Sequence, residues 1–162
     1  MQLQKELGMN RSFRFLIILF LAMLLGECLS YGDYPSDKLT KVIPVKESGN
    51  NDRAIGDKKT KLGLSRPPSE WAYGAFQIRQ PAVDDVNRAL GTHYKSSDCL
   101  GNRKLSELIF REYINLYATE KKLGHKPTDT DMAGIWNGGP EGWKSILTVA
   151  YRQDIAGKLR RV

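Results

Sequence analysis

The sequence predicts a mainly helical α+β domain, in which a helical core carries a small loop or hairpin lobe beside a cleft. Apolar residues recur every three or four positions over residues 104–122, which is typical of one long amphipathic helix. Residues 50–73 instead hold two glycines, two prolines and many charges, which favours loop with a small hairpin. A chain of 162 residues can bury one substantial core, so we expect a single domain.

The first two predicted helices lie on either side of the lobe. Apolar spacing over residues 39–46 predicts a short helix that ends at Glu47, and Pro44 must either kink this helix or occupy its first turn. After the lobe, Pro81 suits the first turn of a second helix, which Gly91 closes.

Start and stop signals define the remaining helices. Gly124 ends the long central helix, and Thr128 with Asp131 forms a capping pair for the next one. That helix stops at the Gly-Gly-Pro sequence of residues 138–140, and a last helix begins at about Thr148. We therefore predict five or six helices around one core.

The amino terminus has the pattern of a secretory signal. Three basic residues precede the apolar run 15–25, which is short for a membrane span. We predict a signal peptide over residues 1–30, cleaved near Ser30, with Met9 as an equally suitable start and an uncleaved anchor as the alternative. The mature domain, residues 31–162, would then be secreted or periplasmic, with no stable membrane anchor.

The two cysteines predict no internal disulfide. Cys28 follows the apolar run, as a lipid-bearing cysteine would, but Glu27 occupies a position where such signals need a small residue. If Cys28 leaves with the signal, Cys99 is alone, and the apolar core must supply the stability.

The charge favours a polyanionic partner. Of 25 basic and 18 acidic residues, the first thirty carry three and two, so the mature chain keeps an excess of about six positive charges. Clusters occur only at residues 58–61 and 160–161, and no nucleic-acid recognition motif accompanies them. No Walker-type loop, dinucleotide fingerprint or Cys/His cluster is present either, so we predict a monomer without metal or cofactor that acts on cell-wall polymer.

Three short motifs carry the strongest functional signal. They are Glu-Ser-Gly at residues 47–49, Gly-Ala-Phe-Gln-Ile at 74–78 and Ile-Trp-Asn-Gly-Gly-Pro at 135–140. Their order and spacing over residues 42–151 resemble the lysozyme superfamily, between invertebrate-type lysozymes and the soluble-lytic-transglycosylase-like domains of bacteria. The scarcity of cysteine departs from the invertebrate type. The resemblance implies a lysozyme-like fold and a muramidase that cleaves between N-acetylmuramic acid and N-acetylglucosamine in peptidoglycan.

Glu47 is the candidate catalytic acid. Cleavage of a glycosidic bond needs a protonated acid at the leaving oxygen, and a glutamate at the end of an apolar helix can be desolvated so that its pKa rises. The resemblance assigns the acid's role to this position. The alternative is a solvated glutamate near a helix end.

Asp57 is the candidate second carboxylate. It follows Gly56 and lies ten residues after Glu47, and a carboxyl separation of about 5 Å would fit a retaining mechanism. Asp52 and Glu70 are competitors for this role. Lytic transglycosylases use the glutamate alone, so a requirement for a second carboxylate would distinguish a hydrolase from a lytic transglycosylase.

The same motifs provide candidate substrate-binding residues. Gln77 would lie nearest the site or would cap the following helix, and Trp136 would stack on a sugar or fill the core. Asn137 matches the motif of both relatives, whereas Trp136 matches neither; Trp71 and Trp143 are weaker stacking candidates. The full predicted binding set is Ser48, Tyr73, Gln77, Trp136, Asn137 and Gly138.

Three other functions stay open from the sequence. A lytic transglycosylase would leave 1,6-anhydro ends instead of reducing ends. A wall-binding or inhibitory protein would keep the fold without the reaction, although it would not need the Glu47 carboxylate. A basic exported nucleic-acid binder would show affinity that falls steeply with salt.

Overall fold

Helices dominate the structure, and one two-stranded sheet completes it. The computed structural model describes residues 35–162, so the predicted signal peptide and Cys28 lie outside the described residues. Within that range the helices are α1 (Asp37–Ser48), α2 (Gln80–Leu90), α3 (Arg103–Tyr117), α4 (Glu120–Leu123), α5 (Asp129–Gly138) and α6 (Val149–Leu159). Strand β1 (Ile55–Gly56) pairs with β2 (Ala72–Tyr73), and 3₁₀ turns occupy Pro68–Glu70, Ser96–Cys99, Gly142–Lys144 and Ile146–Thr148. The mainly helical prediction is confirmed.

Helix α3 lies at the centre of the core, as its apolar spacing predicts. Ile109, Phe110 and Ile114 are fully buried on it, and they pack with residues of α1, α2, α5 and α6. The Phe110 ring lies 5.1 Å from the ring of Phe76, which the lobe side contributes. One apolar cluster therefore joins the helices to the chain that leaves the lobe.

The single described cysteine contributes to the same core. Cys99 is buried with a free thiol, and burial raises its pKa to about 11. This thiol is a small apolar packing group. No helix within residues 35–162 is long and apolar enough to cross a bilayer.

Helix α1 is the element that carries Glu47. The Ser36 hydroxyl accepts a hydrogen bond from the Leu39 amide at 3.0 Å and caps the helix, while it also donates to Asp129 at the start of α5. Pro44 lies inside α1, well past its first turn, so the first-turn alternative is wrong. Because Pro44 has no N–H, this part of the helix depends on packing of its buried face.

The lobe between α1 and α2 contains the predicted hairpin. Strands β1 and β2 are antiparallel, with Ile55 opposite Tyr73, and a further bridge joins Lys59 to Ser65. Two-residue strands supply few backbone hydrogen bonds, so the lobe also relies on its turns.

The long helix predicted over residues 104–122 is two helices, which corrects its boundaries. Helix α3 ends at Tyr117, and Ala118 leaves helical geometry with ψ at 64°. The Thr119 hydroxyl then accepts a hydrogen bond from the Lys122 amide and starts α4, which Gly124 ends. A threonine side chain competes for backbone amides in this way, and apolar spacing does not reveal it.

A close backbone crossing fixes the carboxyl-terminal third of the fold. Helix α5 crosses the 3₁₀ turn Gly142–Lys144, and a β-carbon on Gly142 would collide with the Gly134 carbonyl oxygen. The Thr148 hydroxyl donates to the Gly142 carbonyl at 2.6 Å, which holds the same turn against the start of α6. Because Gly134 and Gly142 have no side chains, the backbones of α5 and the 3₁₀ turn can come into direct contact.

This crossing predicts that Gly142→Ala destabilises the protein by more than about 1 kcal/mol, since the backbone must move apart to admit a methyl group. Gly157→Ala is the matched control, because nothing lies within 4 Å of a β-carbon built at this position in α6. We expect the control to gain about 0.5–1 kcal/mol from helix propensity. Denaturant unfolding measures both variants, and equal stability for the two would contradict the steric account.

Candidate functional site

The lobe and the helical core enclose a cleft of about 580 Å³. Glu47 lies on it at the end of α1, and the lobe contributes Asp57. Helix α3 presents Tyr113, and the start of α2 presents Pro81 and Ala82. The rest of the lining is Gln77, Arg79, Trp136, Asn137, Gly138 and Gly139. The three motifs of the sequence therefore meet at one cleft.

Burial and a tyrosine govern the ionisation of Glu47. Loss of solvation raises the pKa of its carboxyl above the ordinary value, and the charge of Asp57 adds to this increase. The Tyr151 hydroxyl donates a hydrogen bond to Oε1, and this bond, with the charges of Lys46 and Arg79, works in the opposite direction. Desolvation is the largest of these effects, so the pKa of Glu47 stays above its ordinary value.

Tyr151 reaches Glu47 from α6, which is distant from it in sequence. Burial and the neighbouring carboxyl raise the pKa of Tyr151, so its phenol stays protonated and acts as a donor. Lys46 lies 5.8 Å from the Tyr151 ring centre and pairs with Asp154 at 2.6 Å, which ties α1 to α6 on the solvent side. Sequence reasoning included Tyr151 only as a helix position, and no local pattern shows that it contacts Glu47.

Asp57 lines the cleft from the lobe. It follows β1 with a φ of 57°, a backbone conformation that few residues other than glycine adopt, and its carboxylate pairs with the Arg79 guanidinium. Arg79 was not among the sequence candidates, although it stands directly after the glycine-glutamine turn. The pair neutralises part of the negative charge that faces Glu47.

The competing carboxylates lie elsewhere. Asp52 pairs with Arg103 at 2.7 Å, and Glu70 lies 3.5 Å from Arg66 within the lobe. Neither lines the cleft, so the structure brings Asp57 alone of the three to the site.

Gln77 forms the floor of the lobe side through a strained turn. Its φ is 52°, and both its backbone amide and its side-chain amide donate to the Gly74 carbonyl, at 3.1 and 2.9 Å. A β-carbon on Gly56 would strike the Gln77 side-chain oxygen, so glycine is needed there. The side-chain amide of Gln77 bonds to Gly74 instead of α2, and no side-chain hydrogen bond caps α2 at its N-cap residue Arg79. The capping alternative is therefore wrong.

The end of α5 forms the facing wall. Trp136 lies edge-on to the rings of Phe110 and Tyr113, at 5.0 and 5.7 Å, and its remaining surface faces the cleft. Asn137 is exposed at the helix end, and Gly138 has no room for a side chain because Thr148 packs against it. Trp136 therefore packs against core rings and also lines the cleft, and its stacking on a sugar stays a prediction.

Two predicted binding residues are absent from the cleft lining. The Ser48 hydroxyl donates to the Ala75 carbonyl at 2.9 Å and accepts from the Asn51 amide, which ties the end of α1 to the glutamine turn. Tyr73 is buried, and its hydroxyl donates to the Pro68 carbonyl. Both residues position the site from behind the wall, because the turns around them consume their polar groups.

The two weaker tryptophan candidates also lie outside the cleft lining. Trp71 donates through Nε1 to the Arg66 carbonyl at 2.9 Å and packs beside Tyr73 in the lobe. Trp143 lies 6.0 Å from the His125 ring. Neither ring is placed to stack on a ligand in the cleft.

The arrangement supports acid catalysis in an open groove. A carboxyl group with a raised pKa and a second carboxylate line the same cleft, together with amide groups and an aromatic edge. Among residues 35–162 no three histidine, cysteine, aspartate or glutamate side chains gather as metal ligands.

Removal of the Tyr151 hydroxyl should raise the pKa of Glu47 further. In Tyr151→Phe the carboxylate loses the bond that favours its charged form, so its carbon-13 NMR titration should move to higher pH. Because the folded pKa already exceeds the ordinary 4.5, stability should fall as pH rises from that value through the folded pKa, and more steeply in the variant.

Tyr117→Phe is the matched control for this titration. It removes a tyrosine–carboxylate bond of 2.7 Å to Asp85, away from the cleft. The Glu47 titration should be the same as in wild type. A Tyr151→Phe titration at or below the wild-type midpoint would show that the hydroxyl does not stabilise the carboxylate.

Comparison with known proteins establishes the fold. No family model and no curated protein sequence gives a significant match. The crystal structure of Aeromonas hydrophila PliI in complex with Meretrix lusoria lysozyme contains a matching chain, with 24% identity and a TM-score of 0.59. Inhibitor-bound lysozyme from Meretrix lusoria matches with 24% identity and a TM-score of 0.58. Each match covers 75% of this chain and 88% of the other, so the chain shares a fold found in these lysozyme crystal structures.

Proposed function

We propose that this protein is a peptidoglycan-cleaving muramidase, with Glu47 as the general acid for the bond between N-acetylmuramic acid and N-acetylglucosamine. One observation carries the proposal. Burial raises the pKa of a carboxyl group that lines an open cleft, where a second carboxylate faces it. A glycosidase needs its acid protonated at the working pH, and a raised pKa favours that form.

The proton moves from Glu47 to the leaving oxygen. As the carbon–oxygen bond breaks, the leaving sugar takes this proton and positive charge develops on the muramyl ring. The glutamate carboxylate that forms accepts the Tyr151 hydrogen bond, which stabilises it as charge appears. A water molecule then adds to the muramyl carbon and returns a proton to Glu47.

Asp57 supports the hydrolase version of this mechanism. Its negative charge raises the pKa of Glu47 and would stabilise the positive sugar ring on the opposite side. Arg79 holds the carboxylate in place. In the lytic transglycosylase version the muramyl 6-hydroxyl attacks instead of water and leaves an anhydro end, and Asp57 has no required part.

The substrate and the location of the protein belong to the same proposal. Glycan strands suit a groove walled by Asn137, Gly138 and the edge of Trp136. The basic excess favours an anionic wall polymer, and the apolar run at residues 15–25 suits export to a secreted or periplasmic location.

A second candidate function is a non-catalytic protein that binds a lysozyme or the wall. The observation that favours it is that a matching chain comes from a crystal structure of PliI in complex with lysozyme. The glutamate with a raised pKa favours the enzyme, since a binding protein gains nothing from burying an acid. A binding protein would release no muropeptides, and a lysozyme-binding protein would slow an added muramidase.

Glu47→Gln should lower the release of muropeptides from purified walls by about a hundredfold or more, because the amide cannot donate a proton to the leaving oxygen. Its stability at neutral pH should be at least that of wild type, since no buried charge forms. Glu70→Gln is the matched control, because this glutamate is exposed on the lobe outside the cleft, and it should keep wild-type activity. Equal wall clearing by Glu47→Gln and wild type would show that the acid is idle.

Asp57→Asn should separate the two reaction types. In a hydrolase, activity should fall at least tenfold and wild-type digests should carry reducing ends in mass spectra. Asp52→Asn, which removes a carboxylate outside the cleft, should leave the rate unchanged. Exclusively anhydro products with full activity in Asp57→Asn would replace the hydrolase by the transglycosylase.

A further inference from the structure

The tip of the lobe is an exposed hairpin whose side chains serve neither the core nor the cleft. We define this leucine hairpin as residues 58–66. The Arg66 amide donates to the Lys58 carbonyl, and the Thr60 amide donates to the Leu64 carbonyl at 2.8 Å. We propose that the leucine hairpin binds anionic phospholipid membranes reversibly, with its two leucines inserted among the lipid chains.

The two leucines at the tip are largely exposed to solvent and lie outside the core cluster. Leu62 is 88% exposed and Leu64 is 64% exposed, and neither belongs to the core cluster. The turn keeps both leucines on the surface. The Thr60 hydroxyl accepts a hydrogen bond from the Leu64 amide, and Gly63 has a φ of 80°. Burial in an apolar phase is the interaction that two such side chains lack.

The charge of the hairpin complements an anionic surface. It carries Lys58, Lys59, Lys61 and Arg66 and has no acidic residue. Among the described residues, Glu70 offsets Arg66, while Lys58 lies 5.5 Å from the Trp71 ring centre and no ion pair engages the other two lysines. Lysines that flank exposed leucines can bind headgroups while the apolar tip enters the lipid.

Lipid fits this tip better than wall polymer does. Glycan strands and their peptide stems offer an anionic surface, but a hydrophilic polymer provides no apolar phase for leucine.

A second exposed apolar pair, Ile146 and Leu147, differs from the leucine hairpin in the charge that surrounds it. It is 81% and 88% exposed, yet its neighbouring Lys144 pairs with Glu141 at 2.6 Å. Of these two exposed apolar pairs, the one in the leucine hairpin is accompanied by an unbalanced run of cations.

The hairpin begins directly after the cleft. Lys58 follows Asp57, which lines the groove, so lipid contact would place the cleft opening beside the membrane. This inference does not require the muramidase reaction.

Vesicle sedimentation tests the proposal with residues 31–162. This part is used because residues 33–162 form one compact unit that contains the described core, and the apolar run at residues 15–25 would bind lipid by itself. The wild-type domain should bind vesicles of mixed phosphatidylcholine and phosphatidylglycerol, and bind phosphatidylcholine alone weakly. The double variant Leu62→Ser/Leu64→Ser should lose about tenfold in binding, and added salt should weaken the wild type.

The double variant Ile146→Ser/Leu147→Ser is the matched control, since it removes a similar apolar area away from the hairpin. Its binding should stay within about twofold of wild type. Glu47→Gln should bind vesicles as wild type does, and the leucine double variant should still cleave soluble glycan, so this inference and the muramidase can fail separately. Absence of binding to the mixed vesicles, an equal loss in the control, or no loss in the leucine double variant would overturn the proposal. Hairpin-dependent capture by purified wall, without vesicle binding, would assign the tip to the wall instead.

Discussion

The site depends on the partial burial of one carboxyl group at the end of α1. An ionised glutamate loses solvation there, so the pKa of this acid beside the groove rises above its ordinary value. The Tyr151 hydrogen bond limits that rise by stabilising the charged form. The general acid of the proposed mechanism must both keep and release its proton, and these opposed effects on one carboxyl group are the basis on which we propose Glu47 for that role.

Close backbone contacts give the cleft its shape. Gly56 admits the Gln77 side chain on the lobe side, and Gly138 admits Thr148 behind the facing wall. Asp57 and Gln77 both have positive φ values. Such strained backbone persists only where the surrounding structure overdetermines it, so the packing around these turns must be close. The cleft walls on both sides are therefore turns in which close contacts restrict the backbone.

Charge divides the surface of the lobe into two parts. Inside the cleft, Asp57 and Arg79 compensate each other next to the acid. Directly beyond Asp57 the balance changes to unopposed lysines around the exposed leucines of the hairpin. The lobe thus carries both a groove wall whose charges are paired and a hairpin tip with a net positive charge.

The sequence alone determined the helix periodicity, most helix ends, the hairpin in the lobe and the motifs that carry Glu47, Gln77 and Asn137, because these features depend on residues close together in the chain. The sequence did not reveal the break near Thr119, where the threonine hydroxyl bonds a backbone amide and starts a new helix. Only the tertiary structure brought Tyr151 to Glu47 and Arg79 to Asp57. It also placed Asp57 on the cleft lining and left Asp52, Glu70, Ser48 and Tyr73 outside that lining. Those outcomes depend on packing between distant segments, and desolvation of a carboxyl group arises only when the segments meet.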